Sequence, residues 1–276
     1  MKRHFDIYSA TSWVPWLFAG LVLFFLAAPL LVVITAAFND SSLLQFPPRA
    51  WSLRWFREYF QDASWIGATK TSFKAGLVVS ILSTFLGLTT AVLLTRYTFF
   101  GRNVVRALIM APLVVPVIVI AVGLYYVFLR AGLNGTFWGL VFGHTVVTFP
   151  YATVVISAAL LEVDERLENA AVGLGATRLR AFFEITLPLI QPGLVVAALF
   201  GFLISFDEVV IAIFVTGAET TTLPRRIWDG IRFELNPTIA AVSTILIFLS
   251  ALVMLVSELL KAYLRRISGL TRRVDP

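Results

Sequence analysis

The stretch NAAVGLGATRLRAFFEITLP, Asn169–Pro188, decides how the rest of the chain is read. It is polar, rich in alanine and glycine, and stands between two long apolar runs. Its small residues and its proline fall at fixed offsets: Ala170-Ala171, three residues, Gly175, nine residues, Ile185, one residue, Leu187-Pro188. Glycine permits the backbone of a tight turn, and proline fits where a helix begins, because the first turn has no use for its missing N–H. The pattern therefore predicts a short helix, a glycine turn at Gly175, a second short helix, and Pro188 opening the next apolar span.

The flanking runs define the class. The chain is 59% hydrophobic and 14% charged, with a mean hydropathy of +0.88, whereas soluble domains carry about 25% charged residues. A helix needs about 20 apolar residues to cross the hydrocarbon core. Six segments qualify: Trp13–Phe38, Phe73–Thr95, Val104–Leu129, Trp138–Leu161, Leu189–Val215 and Thr238–Tyr263. The expected architecture is an all-α polytopic membrane protein forming one domain over residues 1–276, with the loop 162–188 projecting from it. The first run is longer than the h-region of about 7–15 residues that marks a cleavable signal, so it reads as an uncleaved span. The loop from Asn39 to Ser72 carries Trp51, Trp55, Tyr59 and Trp65, which suits an amphipathic helix at the membrane interface. A further short helix is expected near Trp228.

Orientation follows from lysine and arginine. Thirteen of the 22 fall on the side of both termini and the 162–187 loop, among them Lys2, Arg3, Arg96, Arg102, Arg106, Arg166, Arg178 and Arg180. That side is expected to be cytoplasmic. The pI near 9.9 does not point to nucleic acid, because the basic residues border spans instead of forming one patch. Cysteine is absent, which excludes disulfides, thiolate chemistry and zinc–cysteine sites. His4 and His144 lack metal-ligand spacing, so no metal site is expected, and His144 reads as bonded to a neighbouring helix. No catalytic constellation is present, and no G-x4-G-K-[ST] loop that would bind and hydrolyse ATP.

Within the spans, small residues recur at helical spacing: Gly76, Ser80, Ser83, Gly87 and Ala91, then Gly193, Ala197, Gly201, Ser205 and Ala212. Such stripes let helices approach closely in lipid. Pro112, Pro116 and Pro150 are expected to kink their helices. Asp207 and Glu208 lie in FLISFDEVVIAIFV, inside the fifth span. An acidic residue at a span centre costs about 2.5–3.5 kcal/mol on insertion scales. Counted from Leu189 as one continuous helix, the pair lies about 28 Å along, in the outer half. On that helix Glu208 shares the small face of Gly201, Ser205 and Ala212, while Asp207 turns toward Phe200, Ile204 and Ile211. The pair reads either as a cation contact on a transport path, with Tyr125, Tyr126 and Tyr151 as aromatic neighbours, or as acids satisfied by a neighbouring helix or water.

The Asn169–Pro188 spacing resembles the EAA loop of binding-protein-dependent ABC importers, E-A-A-x3-G-x9-I-x-L-P. Where the motif has glutamate this chain has Asn169, with Glu168 just before it. The resemblance extends through FWGLVFGHTVVTFPYATVVI, SFDEVVIAIFVTG and LNPTIAAVSTILI to nearly the whole chain, which is similar to the permease subunits of spermidine/putrescine importers. It implies the six-helix type I ABC importer permease fold with a cytoplasmic coupling helix, in a bacterial inner membrane. It further implies docking of an ATPase through Glu168, Asn169, Ala170, Ala171, Gly175, Ala176, Ile185, Leu187 and Pro188, and import by alternating access. The partners would be a second, non-identical permease, two ATPase subunits carrying ATP and magnesium, and an external solute-binding protein. This chain itself would bind no cofactor and perform no catalysis. The cargo would be a polyamine or a related cationic amine; an opine or amino-acid derivative is the alternative. An ion-coupled transporter or channel would leave the 169–188 loop without a purpose.

Overall fold

The computed structural model describes residues 13–42, 46–48, 50–234 and 236–271. Lys2, Arg3, His4, Arg49, Arg272 and Arg273, and the side chains of Glu258, Lys261, Arg265 and Arg266, lie outside the described residues. In chain order the helices are α1 (Trp13–Ala37), α2 (Arg54–Gln61), α3 (Ala63–Arg96), α4 (Arg102–Met110), α5 (Val117–Ala131), α6 (Phe137–Glu162) and α7 (Glu165–Gly173). There follow α8 (Arg178–Ala181), α9 (Leu187–Leu189), α10 (Gln191–Asp207), α11 (Val210–Val215), α12 (Leu223–Asp229) and α13 (Thr238–Thr271). The described residues contain no strand beyond an isolated bridge between Asn39 and Trp51.

Two compact units result. The first, residues 1–62 and 230–276, packs α1 and α2 against α13 around Ala36, Ala37, Trp55, Ala240 and Ala241. The aromatic loop does form a short helix, α2, but Trp55 and Tyr59 on it are buried within the chain and Trp65 belongs to α3. The Trp55 indole N–H donates to the Asn39 carbonyl at 2.8 Å, which ties α2 to the end of α1. Most of the side chains of α1 are exposed apolar groups, as suits a helix meeting lipid tails or another apolar surface.

The second unit, residues 63–229, is built on α3, α6 and α10. The small stripes explain why they pack so closely. A Cβ on Gly87 would fall 2.7 Å from that of Ala152, and one on Gly201 would fall 2.6 Å from the Ser83 hydroxyl. Ser80 donates across this seam to the Ala198 carbonyl at 2.6 Å; such bonds contribute roughly 0.6 kcal/mol in a membrane. Gly193 lies against Ala159 and Ser205 against His144, so α6 and α10 run antiparallel.

The expected spans need three corrections. The second helix starts at Ala63, ten residues before Phe73, and Trp65 is buried in it with the Arg226 guanidinium 5.1 Å from its ring. The third span, expected unbroken over Val104–Leu129, is a pair bent by 102° between Arg102–Leu113 and Val117–Ala131. Pro112 and Pro116 supply no N–H, and the extended ψ of 130° at Pro116 restarts the chain as α5. The fifth, expected unbroken over Leu189–Val215, ends at Asp207 and resumes as α11. Pro188 does not open that span either. It sits in α9, behind five residues of π-helix, Phe182–Thr186, and Pro192 opens α10 after a 70° bend at Ile190. Among the described residues, three helices are each long and apolar enough to cross a bilayer, and the two bent pairs qualify when each is taken as one span. The sixth apolar segment forms α13.

Candidate functional site

The loop 162–188 is held by its own backbone chemistry. Asp164 caps α7, its carboxylate accepting from the Arg166 N–H at 2.9 Å. At the other end the Ala176 N–H donates to the Ala171 carbonyl and the Gly175 N–H to the Val172 carbonyl, each at 3.0 Å. These are the two bonds of a Schellman motif, with Gly175 at the left-handed position, φ +96°. Nothing lies within 4 Å of a Cβ built on Gly175, so within the chain this glycine serves the turn and not a close approach. Ala171 and Ala176 are the donor–acceptor ends of the same turn. Thr177 then caps α8 by accepting from the Arg180 N–H.

Beyond α8 the backbone widens into the π segment, where the Leu187 N–H reaches the Phe182 carbonyl. In an α register Pro188 would clash with the Glu184 carbonyl four residues back; the wider turn accommodates it. Thr186 is fully buried, and its hydroxyl donates to the Glu168 carboxylate, which ties α7 to this segment. Glu168 is thus engaged within the chain. Asn169, Ala170 and Pro188 are exposed, while Ile185 and Leu187 are half-buried, Leu187 against the core. Sequence spacing missed the apolar tip. Leu174 is 91% exposed and Leu179 71%, with Leu167, Val172 and Phe183 also exposed. The signal was there: apolar side chains scattered through a polar loop, with no helix period to bury them.

The loop also has an anchor not foreseen. Arg96, the last residue of α3, pairs with Glu165 of α7 at 2.7 Å and donates to the carbonyls of Leu160 and Val163 at 3.2 and 3.1 Å. Arg102 donates to the Leu94 carbonyl.

The acidic pair lies where the fifth span breaks. Glu208 is extended, φ −72° and ψ 110°, so the face assignment made for a continuous helix does not apply. Its carboxylate accepts from the Ile211 N–H at 2.9 Å, an amide in the first turn of α11 that has no helical acceptor. At the other end of α11, Arg225 donates to the carbonyls of Ala212 and Thr216 at 3.3 and 2.6 Å. A carboxylate at the N-terminus and a guanidinium at the C-terminus match the helix dipole. Asp207 makes no such bond and is exposed. His144 is fully buried and shares a 3.0 Å hydrogen bond with the Ser205 hydroxyl, as the sequence expectation of a bond to a neighbouring helix required.

Tyr125 stands edge-on to Tyr126 and to Phe214 of α11, at 5.7 and 6.5 Å between ring centres. That brings two of the three expected tyrosines to the α11 side of the break, with Tyr126 65% exposed. Tyr151 is exposed farther along α6, about 10 Å beyond His144 on the side away from the break.

Residues 83–267 match the family of binding-protein-dependent transport system inner membrane components. The chain is 36% identical over 245 residues to the putrescine transport system permease protein PotI of Escherichia coli strain K12, covering 84% of this chain and 86% of that one. It is 33% identical over 244 residues to the spermidine/putrescine transport system permease protein PotC of Haemophilus influenzae, covering 88% and 94%. Its fold is similar to that in a bacterial ABC transporter involved in the import of the acidic polysaccharide alginate. There the TM-score is 0.71 at 17% identity over 98% of each chain. The chain therefore belongs to the binding-protein-dependent transport system inner membrane component family. It has the type I ABC importer permease fold and works as a membrane permease subunit.

Proposed function

We propose that this permease carries polyamines or closely related cationic amines inward across a bacterial inner membrane, driven by ATP hydrolysis on separate ATPase subunits. The named cargoes of the similar permeases, putrescine and spermidine, are flexible polycations. The observation that carries the reading is Asp207, an exposed carboxylate at the break of the fifth span whose neighbour Glu208 is already engaged by α11. A polyamine sheds hydration in the pathway, and an unengaged carboxylate there offsets part of that loss. The negative end of the α10 dipole adds to the attraction.

The whole chain acts as one permease domain with both termini and the 162–188 loop cytoplasmic. The loop docks in a groove of an ATPase through the exposed face of Asn169, Ala170, Leu174 and Leu179. A second permease, a pair of ATPases binding ATP and magnesium, and a solute-loaded external protein complete the importer. Uptake of labelled putrescine by the reconstituted complex tests the reading. Spermidine should compete, and neutral or anionic solutes of similar length should not. Competition by an anionic opine, with none by spermidine, would reject the polyamine assignment.

A further inference from the structure

The junction between the core and the coupling loop is short and not helical. α6 ends at Glu162 and α7 begins at Glu165; Val163 and Asp164 between them are extended, at ψ 118° and 122°. Helical hydrogen bonding is interrupted there, so α7 can swing about two residues' torsions unless something spans the gap. One side chain does. The Arg96 guanidinium donates to the Leu160 carbonyl, in the last turn of α6, and to Val163, inside the gap, and it meets the Glu165 carboxylate on the far side. It comes from α3, which packs along α6 in the same unit, and its side chain is only 13% exposed.

The ion pair itself adds little stability, because the Glu165 side chain is 61% exposed and the pair is wetted. The geometry is specific nonetheless: a planar fork of five donors serves three acceptors before, within and beyond the gap, which an ammonium cannot do in the same way.

We propose that Arg96 is a positioning residue for coupling. It locks the α6–α7 junction to the end of α3, so that displacement of α7 reaches the α3–α6–α10 core instead of being absorbed at Val163 and Asp164. The proposal rests on α7 being the element that the ATPase moves. Conservation of charge would not suffice, since Arg96→Lys keeps the charge and loses the fork.

The test uses the full importer in lipid nanodiscs and proteoliposomes. The chain has no cysteine, so in an importer whose other subunits are cysteine-free, spin labels at Leu93→Cys on α3 and Leu167→Cys on α7 report the junction. In Arg96→Gln the ATPase should copurify and hydrolyse ATP as in wild type. The label distance distribution should broaden, and uptake per ATP should fall about tenfold, within the usual range of inter-site coupling. A wild-type distance distribution, or wild-type uptake per ATP, would overturn the proposal. If Arg96→Gln fails to assemble, Glu165→Ala decides, because it keeps both carbonyl bonds and removes only the acceptor beyond the gap. Broadened distances with reduced uptake per ATP support the clamp; no change in either overturns it. Cross-linking of Leu174→Cys to the ATPase separates the two ideas. Its failure in the wild-type background would refute docking of the loop, while the spin-label distances would still report whether Arg96 holds the junction.

Discussion

Two adjacent acids divide the work at the break in the fifth span. Glu208 closes the N-terminus of α11 through the Ile211 N–H, and Asp207 is left facing outward. Removing each should give different results. Glu208→Ala loses a cap, a loss that costs about 0.5–2 kcal/mol in helices, so a thermal-unfolding measurement on the purified permease should show a lower midpoint. Asp207→Asn loses only charge. It should leave the midpoint and ATPase association unchanged and slow polyamine uptake about tenfold, equivalent to ~1.4 kcal/mol in the barrier. Equal uptake at matched membrane levels would place Asp207 outside the path. The presence of this pair was legible in SFDEVV, but its division was not. Whether a carboxylate in an apolar run caps a helix or stays open depends on where the helix stops, and no glycine or proline marks the stop at Asp207.

At the scale of the element, the coupling loop was the most legible part of the chain. Helix, turn and helix fall where the Ala-Ala-x3-Gly spacing put them, because a Schellman turn favours glycine at its left-handed position, here Gly175. The π segment ahead of Pro188 was not legible: the sequence shows a proline, but not whether the backbone starts a helix there or widens to keep one going. The same ambiguity hid the 102° bend near Pro112 and Pro116. Gly175 gives the test at this scale. Its φ of +96° disfavours any side chain, and a left-handed residue costs a non-glycine about 1–2 kcal/mol. Gly175→Val should therefore disturb the loop even though a Cβ there meets no atoms of the chain. Gly175→Asn should be milder, because asparagine visits this region more readily. The check is transport per ATP in the two variants; equal coupling would show that the turn is not what the glycine serves.

At the scale of the whole molecule, six apolar segments were readable from hydropathy, and the glycines of the small stripes fall in the contacts among α3, α6 and α10. Orientation rests on the arginine and lysine bias, and it makes a prediction of its own. Reporter fusions after Ala63 and Leu223 should signal from outside, and fusions after Glu168 and Arg273 from the cytoplasm. An external signal at Glu168 would remove the loop from any ATPase.

Alternating access joins the coupling loop to the acidic break, and cysteine labelling tests that link most directly. The chain's lack of cysteine makes Tyr151→Cys, on an exposed ring near the middle of α6, a unique site within this chain. In sealed proteoliposomes holding the complete importer, a membrane-impermeant thiol reagent is applied from each side. Without nucleotide, the site should react from the cytoplasmic side. With ATP trapped and the loaded binding protein docked, it should react from the outside. The exchange should vanish when docking of the 162–188 loop is blocked. Labelling that is the same in both nucleotide states would contradict the mechanism.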